Sequence, residues 1–509
     1  MKNVKRRDFL KMASALSAGR VLPVSFGLGA LAQQAHADGP DYSSVNVETP
    51  DVMPQVINVF LYGGASELAG NLSNIVDIDE NSVNRYSSSD AFGSGIIETA
   101  SQNPTGFQIT ENGCWKDAGG THMEDMLTDG HMALYRTVFK QKRPTRSHRE
   151  SIFMSHKGTL DIENSPGIGS RIAHTMMENR AKYEGATLAD NRTINNLDEM
   201  ILPFVSFEGE TQTYALDPNE TLPLYFRGLT MDQNFDNPYS RSSGSDSLGG
   251  LDALVNSAID GQLSSESRYK KAAEGFKKRE ELDARMDKLK ELSNLTDTPL
   301  PMGVTYPDND FADQLRSVVT LAIHNPETMY MAVGTPGLGG WDNHNNGVDS
   351  YPGRMDQLMS ALKSAMAHIE ASAGAETIGG GNRVHTNNIV INVFGDFGRL
   401  VNLNDSKGWD HANNQNLYTF GGAGVRPPKE AAAMGKIVGK TQRQGTSKTN
   451  NQYTVPTADS VTFEPMCIAS SIYGYFGVQN PHVLTASEGN ESGDGRLEDG
   501  LPEIGTPLS

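Results

Sequence analysis

The sequence predicts an α/β fold in which helices sandwich a mostly parallel central sheet. Three apolar runs carry this prediction, because each is nearly continuous and each ends at a glycine turn: residues 56–61, 329–333 and 389–394. Apolar runs without polar alternation indicate strands that are buried on both faces, as in parallel sheets covered by helices. We therefore place these three strands at the centre of the sheet.

A helix is predicted between the second and third of these strands. Apolar residues recur at helical spacing from Met355 to Ile369, and Pro352 marks the predicted first turn. Strand, helix and parallel strand together form a right-handed crossover unit. A second helix, charged and at the surface, is predicted over residues 266–293.

The composition excludes several classes of protein. The 509 residues include 43 basic and 62 acidic side chains, for a formal charge of −19. A surface this acidic repels nucleic acids in general, so no nucleic-acid partner is expected. Cys114 and Cys467 are the only cysteines, too few for a disulfide scaffold or a cysteine metal site, and the sequence leaves open whether they pair.

The first 37 residues have the pattern of a twin-arginine export signal. Arg6 and Arg7 precede a mildly apolar stretch, and Ala35-His36-Ala37 is a small-x-small cleavage site. Arg20 and several serines and glycines interrupt the apolar stretch, so no stable membrane span is expected after cleavage. The twin-arginine export machinery is thus a predicted partner, and a periplasmic or extracellular location is expected.

The rest of the chain divides by composition. The predicted parts are a polar leader over 38–55, one α/β domain over 56–480 with long polar loops and an insertion at 233–295, and an acidic tail over 481–509.

Polar residues that can bind metal follow each of the three predicted strands. They are Glu67 after the first strand, Asp342 and His344 after the second, and Asp396 after the third, followed by Asp410 and His411. Parallel strands bring their carboxyl ends to one edge of a sheet, so we expect these groups to converge. Mixed oxygen and nitrogen donors suit a divalent metal, and zinc, manganese or calcium is the predicted cofactor.

A second cluster, around Arg146-Ser147-His148, combines a hydroxyl with basic groups. Ser147 and Glu150 fit a capping box, which by itself indicates only a helix start. A hydroxyl and free backbone amides at a helix N-terminus, beside arginines, also suit an anionic ester. Ser147 is therefore the candidate nucleophile, and Arg146, His148 and Arg399 are the other candidate catalytic residues.

Five short motifs together carry a resemblance to a known family. They are Gly63-Gly64-Ala65-Ser66-Glu67, Arg146-Ser147-His148, Gly340-Trp341-Asp342-Asn343-His344, Phe397-Gly398-Arg399 and Asp410-His411. With the export signal, this set resembles the bacterial domain-of-unknown-function family 1501, over about Val56 to Val478. That family is similar to the alkaline phosphatase and sulfatase superfamily.

The resemblance implies an alkaline-phosphatase-like α/β sandwich with divalent metals at the strand ends and a nucleophile at a helix start. Asp342 and His344 would match the first ligand pair of the superfamily, Asp396 its second strand-end aspartate and His411 its late histidine. Glu67 would stand where an early aspartate normally lies. Phe397 occupies a position that is often histidine, which leaves open whether the site holds one metal, two or none.

These observations favour an exported metal-dependent hydrolase or transferase that acts on a phosphate or sulfate ester. Ser147 or a metal-activated water would attack, and Arg146 and Arg399 would hold the nonbridging oxygens. The rival interpretation is a catalytically silent relative that binds an envelope partner or a glycan. A redox enzyme has little support, because the chain has neither a G-x-G-x-x-G fingerprint nor a cysteine cluster.

Overall fold

The structure is a computed structural model, and it describes residues 40–71, 109–216, 222–223, 226–231, 257–263, 300–444, 452–485 and 495–508, with a few helical positions between 270 and 287. The strands are β1 (Gln55–Leu61), β2 (Met132–Phe139), β3 (Phe204–Ser206), β4 (Leu229–Thr230), β5 (Tyr330–Val333), β6 (Ile389–Gly395), β7 (Arg399–Leu403), β8 (Trp409–His411), β9 (Asn414–Gly421), β10 (Ile437–Val438), β11 (Thr441–Gln444) and β12 (Gln452–Pro456).

Eight of these strands form the central sheet, in the order β10-β2-β9-β6-β1-β5-β3-β4. Every neighbouring pair is parallel except the two that involve β9, which runs antiparallel to both β2 and β6. All seven residues of β1 and of β6 are buried, as their continuous apolar sequences predict. The predicted α/β class with a mostly parallel sheet is confirmed.

Helices cover both faces of the sheet. They are α1 (Gly120–Thr128), α2 (His148–Lys157), α3 (Ile168–Glu178), α4 (Arg180–Tyr183), α5 (Asp310–His324), α6 (Gly347–Glu370), α7 (Pro428–Ala433), α8 (Met466–Tyr475), α9 (His482–Thr485) and α10 (Leu497–Gly500). Ile57 and Val59 of β1 share one core cluster with α1, α5 and α6. Val56 and Phe60, which point the other way, share a second cluster with α3 and α8.

The long helix between β5 and β6 is confirmed, but its predicted start is wrong. The helix begins at Gly347 and contains Pro352 in its second turn. Proline there removes only one backbone bond, to residue 348. The turn before it is held by tertiary packing, because the ring of the buried Tyr351 lies against Trp341 and Trp409.

The segments predicted as a leader and a tail join the same unit, Gly39–Ser509. Val47 forms a β-bridge with Val478, and Leu497 at the start of α10 is buried. Cys114 and Cys467 are both buried, and no disulfide joins them. In the described parts of the chain, no helix combines the length and the apolarity needed to cross a bilayer. The predicted export signal and most of the 233–295 insertion lie outside the described residues.

Candidate metal centre

The loops after β1, β5 and β6 meet at one edge of the sheet. The turn after β1 uses Gly63, whose positive φ of 114° is accessible to glycine. Its N–H donates to Asp396 Oδ1 at 3.2 Å, directly after β6. The preceding carbonyl, of Tyr62, accepts from the N–H of Trp341 at 3.1 Å, next to Asp342. Backbone bonds therefore fix the two acidic loops to the end of β1.

The hairpin of β7 and β8 brings the last two charged motifs to the same place. Arg399 at the start of β7 lies opposite His411 at the end of β8. Trp341 and Trp409 are fully buried beside Tyr351 and anchor the loops that carry Asp342 and His411.

Helix α2 delivers the Arg146-Ser147-His148 element. Ser147 is the N-cap of this helix, and its hydroxyl accepts from the N–H of Glu150 at 3.5 Å, so the predicted helix start is confirmed. Ser147 is exposed. The next side chain, His148, reaches the sheet edge, where its Nδ1 lies 2.6 Å from Oδ2 of the fully buried Asp396.

Three histidines share one arrangement of their ring nitrogens. In each, Nδ1 faces an oxygen that can only accept: Asp396 Oδ2 for His148 at 2.6 Å, Asp410 Oδ1 for His344 at 3.0 Å, and the Arg146 carbonyl for His411 at 2.8 Å. We therefore assign the proton to Nδ1 in all three rings. A ring that carries its proton on Nδ1 alone presents the lone pair of Nε2, the arrangement that is typical of metal-binding histidines.

The three Nε2 atoms surround the carboxylate of Asp342. Oδ1 of Asp342 lies 3.7 Å from Nε2 of His148, 3.3 Å from that of His344 and 3.8 Å from that of His411. Ligands of a tetrahedral ion with bonds of ~2.0–2.1 Å lie ~3.3 Å apart, and the separations of His148 and His411 from Asp342 are somewhat wider than this spacing. The ligand atoms of His148, Asp342 and His411 all lie within 4.8 Å of one another.

The protonation states suit a cation. Burial opposes ionisation of Asp342, but the hydrogen bond and charge of Arg399 outweigh it and hold the pKa of this carboxyl below its usual range. Burial lowers the pKa of His411, and the charge of Arg399 lowers it further, although the hydrogen bond to the Arg146 carbonyl raises it. His411 is therefore neutral at pH 7, with its Nε2 lone pair available.

Two buried basic side chains border the site. Arg399 donates from Nε to the Gly64 carbonyl at 2.7 Å, from Nη1 to the Trp409 carbonyl at 2.8 Å, and from Nη2 to the Gly63 carbonyl and, at 2.5 Å, to Asp342 Oδ1. Its Nη1 also lies 3.3 Å from Nε2 of His344.

Lys140, directly after β2, is the second buried basic side chain. It donates to the Ser151 hydroxyl at 2.6 Å and lies 5.2 Å from the centre of the Phe397 ring. Burial lowers the pKa of Lys140 to about 7, although nearby carboxylates, Asp396 first, raise it.

The structure separates the predicted site residues into groups. Asp342 and His411 contribute to the three-residue ligand group, together with His148, which the sequence placed among the catalytic candidates. Asp396 and Asp410 each bind a histidine Nδ1.

The remaining predicted residues surround this group. The Arg146 side chain is exposed and its carbonyl binds His411. Glu67 is buried, and its carboxylate lies so close to Gly398 that a Cβ there would be 2.4 Å from Oε2. The roles expected for these side chains stay predictions.

Sequence reasoning missed Lys140, Ser151 and the packing role of Phe397. The Phe397 ring contacts His148 and His411, with ring centroids 4.7 Å and 4.3 Å apart. A lysine after an apolar strand is normally solvated, so the sequence contains no signal for its burial.

Comparisons with known proteins return distant structures. No family model matches the chain, and no curated protein matches it. A magnesium-bound mutant of TAB5 alkaline phosphatase aligns at 10% identity and a TM-score of 0.30, over 85% of this chain and 99% of that one. The phosphonate monoester hydrolase of Silicibacter pomeroyi aligns at 12% identity and a TM-score of 0.28, over 72% and 70%. Structural likeness at such low identity and TM-score carries no conclusion about the activity of this chain. The resemblance to family 1501 stays a prediction.

Proposed function

We propose that this protein is an exported hydrolase or transferase that uses a bound divalent metal to act on a phosphate or sulfate ester. The observation that carries the proposal is the set of three Nε2 lone pairs around Asp342. Nε2 of His344 and Nε2 of His411 lie 2.8 Å apart, and with both protons on Nδ1 neither nitrogen can donate to the other. A cation is the group that such a set of donors suits.

His148, Asp342 and His411 would hold the ion, with zinc or manganese the best match to this mixed donor set. When bound, a divalent ion would polarise an anionic ester and offset the charge that develops in the transition state. Asp396 orients His148, and the Arg146 carbonyl orients His411. These partners fix the rings before a ligand arrives.

Ser147 is the proposed nucleophile. Its hydroxyl is exposed, it precedes His148 directly, and it caps α2, where free backbone N–H groups favour an anion. The exposed guanidinium of Arg146 would bind the nonbridging oxygens of the ester. The helix N-terminus and Arg146 would recognise only the anionic group of the ester. A glycan ester is therefore also an expected substrate.

Metal content and turnover test this proposal together. We expect purified protein to contain zinc or manganese and to hydrolyse members of a panel of phosphate and sulfate monoesters and diesters supplied with zinc, manganese or calcium. His411→Ala should lose bound metal and lower the rate by more than the ~10–100-fold that loss of an outer partner costs. His385→Ala, which removes a half-buried histidine bound to Asn191, is the matched control and should keep both.

The rival interpretation predicts a different result. A catalytically silent protein that binds an envelope partner or glycan would show the same background rate for the wild type and for His411→Ala on every ester. If the wild type also bound no metal, the hydrolase proposal would be abandoned.

A further inference from the structure

Arg399 already acts as a cation within the candidate metal centre. The side chain is fully buried, and all five of its N–H groups are directed at protein acceptors. Those acceptors are the carbonyls of Gly63, Gly64 and Trp409, the Asp342 carboxylate and Nε2 of His344. They come from the loops after β1 and β5 and from β8, so one guanidinium joins the elements that build the site.

The guanidinium occupies one side of Asp342. An ion bound between Asp342 and His344 would need bonds of ~2.0–2.2 Å to both. Nη2 of Arg399 lies 2.5 Å from Oδ1 of Asp342, and Nη1 lies 3.3 Å from Nε2 of His344, so these groups already face a positive charge. His148 and His411 also face Asp342, and neither is among the five acceptors of Arg399 named above.

A second divalent ion would meet a positive charge that is already in place. Bound to Asp342 and His344, it would lie beside the guanidinium of Arg399, and like charges in contact repel one another.

We propose that Arg399 takes the place of a second metal ion, so that the centre binds one divalent cation through His148, Asp342 and His411. In this arrangement His344 is not a ligand. It is held between Arg399 and Asp410 and acts as a positioning residue. The proposal rests on the proposed function, because it requires that the centre bind metal.

Native mass spectrometry of the full chain, titrated with zinc, counts the ions directly. We expect one ion in the wild type. Arg399→Gln frees Asp342 and His344 and should raise the number to two, whereas Arg399→Lys keeps the positive charge and should leave it at one. Arg354→Gln is the matched control, because Arg354 donates to Asn343 Oδ1 in the same loop and the substitution should leave one ion.

The outcomes separate this proposal from the proposed function. Two ions in the wild type would overturn the role of Arg399 and leave a metal-dependent function standing. No ion in the wild type would overturn both. A folded Arg399→Gln variant that still binds one ion would also overturn the role of Arg399.

A variant of His344 tests the same proposal if Arg399→Gln does not fold. His344→Gln in the wild-type background should keep one ion, with the zinc Kd raised no more than the ~10–100-fold typical of an outer partner. Loss of zinc as complete as in His411→Ala would show that His344 is a ligand, and the proposal would fail.

Discussion

The proton position on each histidine decides what the candidate centre can bind. Asp396 and Asp410 each accept from a histidine Nδ1, but they act on different rings. Asp396 is fully buried and accepts from both the Gly63 N–H and His148 Nδ1. Asp410 is exposed and accepts from His344 Nδ1. Asp396 therefore sets the tautomer of His148, which is a proposed ligand. Asp410 sets the tautomer of His344.

Asp396→Asn should weaken metal binding while the protein stays folded. The amide oxygen can still accept from the Gly63 N–H, so the amide nitrogen would face His148 and move the imidazole proton from Nδ1 to Nε2. The ligand lone pair is then lost. We expect the zinc Kd to rise ~10–100-fold, as measured by isothermal titration calorimetry.

Asp410→Asn is the matched control for that experiment. It makes the same substitution in the neighbouring pair, Asp410 and His344. We expect the zinc Kd to rise only a few-fold. If Asp396→Asn bound zinc as tightly as the wild type, His148 would not be a ligand.

The sequence indicates which side chains meet at this edge, but it does not decide which of them would bind a metal. Asp342, His344, Asp396 and His411 were expected at one sheet edge because parallel strands end there, and they are bonded to one another or to common partners. Whether an aspartate binds a metal or a histidine depends on ring orientation, which long-range contacts decide. Asp396 and His148 are 248 residues apart in sequence.

At the scale of elements, the turn after β1 holds the site together. Gly63 has a φ of 114°, and a Cβ on it would lie 2.4 Å from the backbone nitrogen of Asp342. The next residue, Gly64, also has a positive φ, and a Cβ there would meet the Phe397 ring at 2.4 Å. Two glycines thus let the end of β1 approach both acidic loops closely.

Gly63→Ala should destabilise the protein more than an equivalent change elsewhere. The left-handed backbone costs ~1–2 kcal/mol for any residue with a Cβ, and the clash with the Asp342 loop adds ~1–3 kcal/mol. Urea denaturation would measure the free energy of unfolding. Gly130 also has a positive φ, but an added Cβ there would have no atom within 4 Å. Gly130→Ala therefore carries a similar backbone cost without the clash, and the difference between the two variants measures the clash. Equal losses in the two variants would contradict the close approach of the loops.

At the scale of the whole molecule, the sheet is larger and more mixed than its apolar runs predict. Strand β9 was missed because it begins Asn414-Gln415-Asn416, polar residues that are buried in the structure. Gln415 Oε1 accepts from the Gly395 N–H at 3.1 Å, and Asn416 Nδ2 donates to the Glu67 carbonyl at 3.1 Å. Strand β9 is thus held by side-chain bonds as well as by the sheet, a pattern that hydrophobic periodicity does not detect.

The burial of His156 predicts how the stability of the molecule depends on pH. Burial between Tyr62 and Thr211 lowers the pKa of His156 to about 3. The unfolded chain takes up this proton near pH 6.5, so stability is retained above that pH and falls as the pH drops toward 3, by about 1.4 kcal/mol per unit. Urea denaturation at several pH values from 6.5 to 4.5 should show that His156→Gln removes this slope from the wild-type curve. The control His385→Gln should leave the slope unchanged. Parallel curves for the wild type and His156→Gln would contradict a neutral, buried His156 ring.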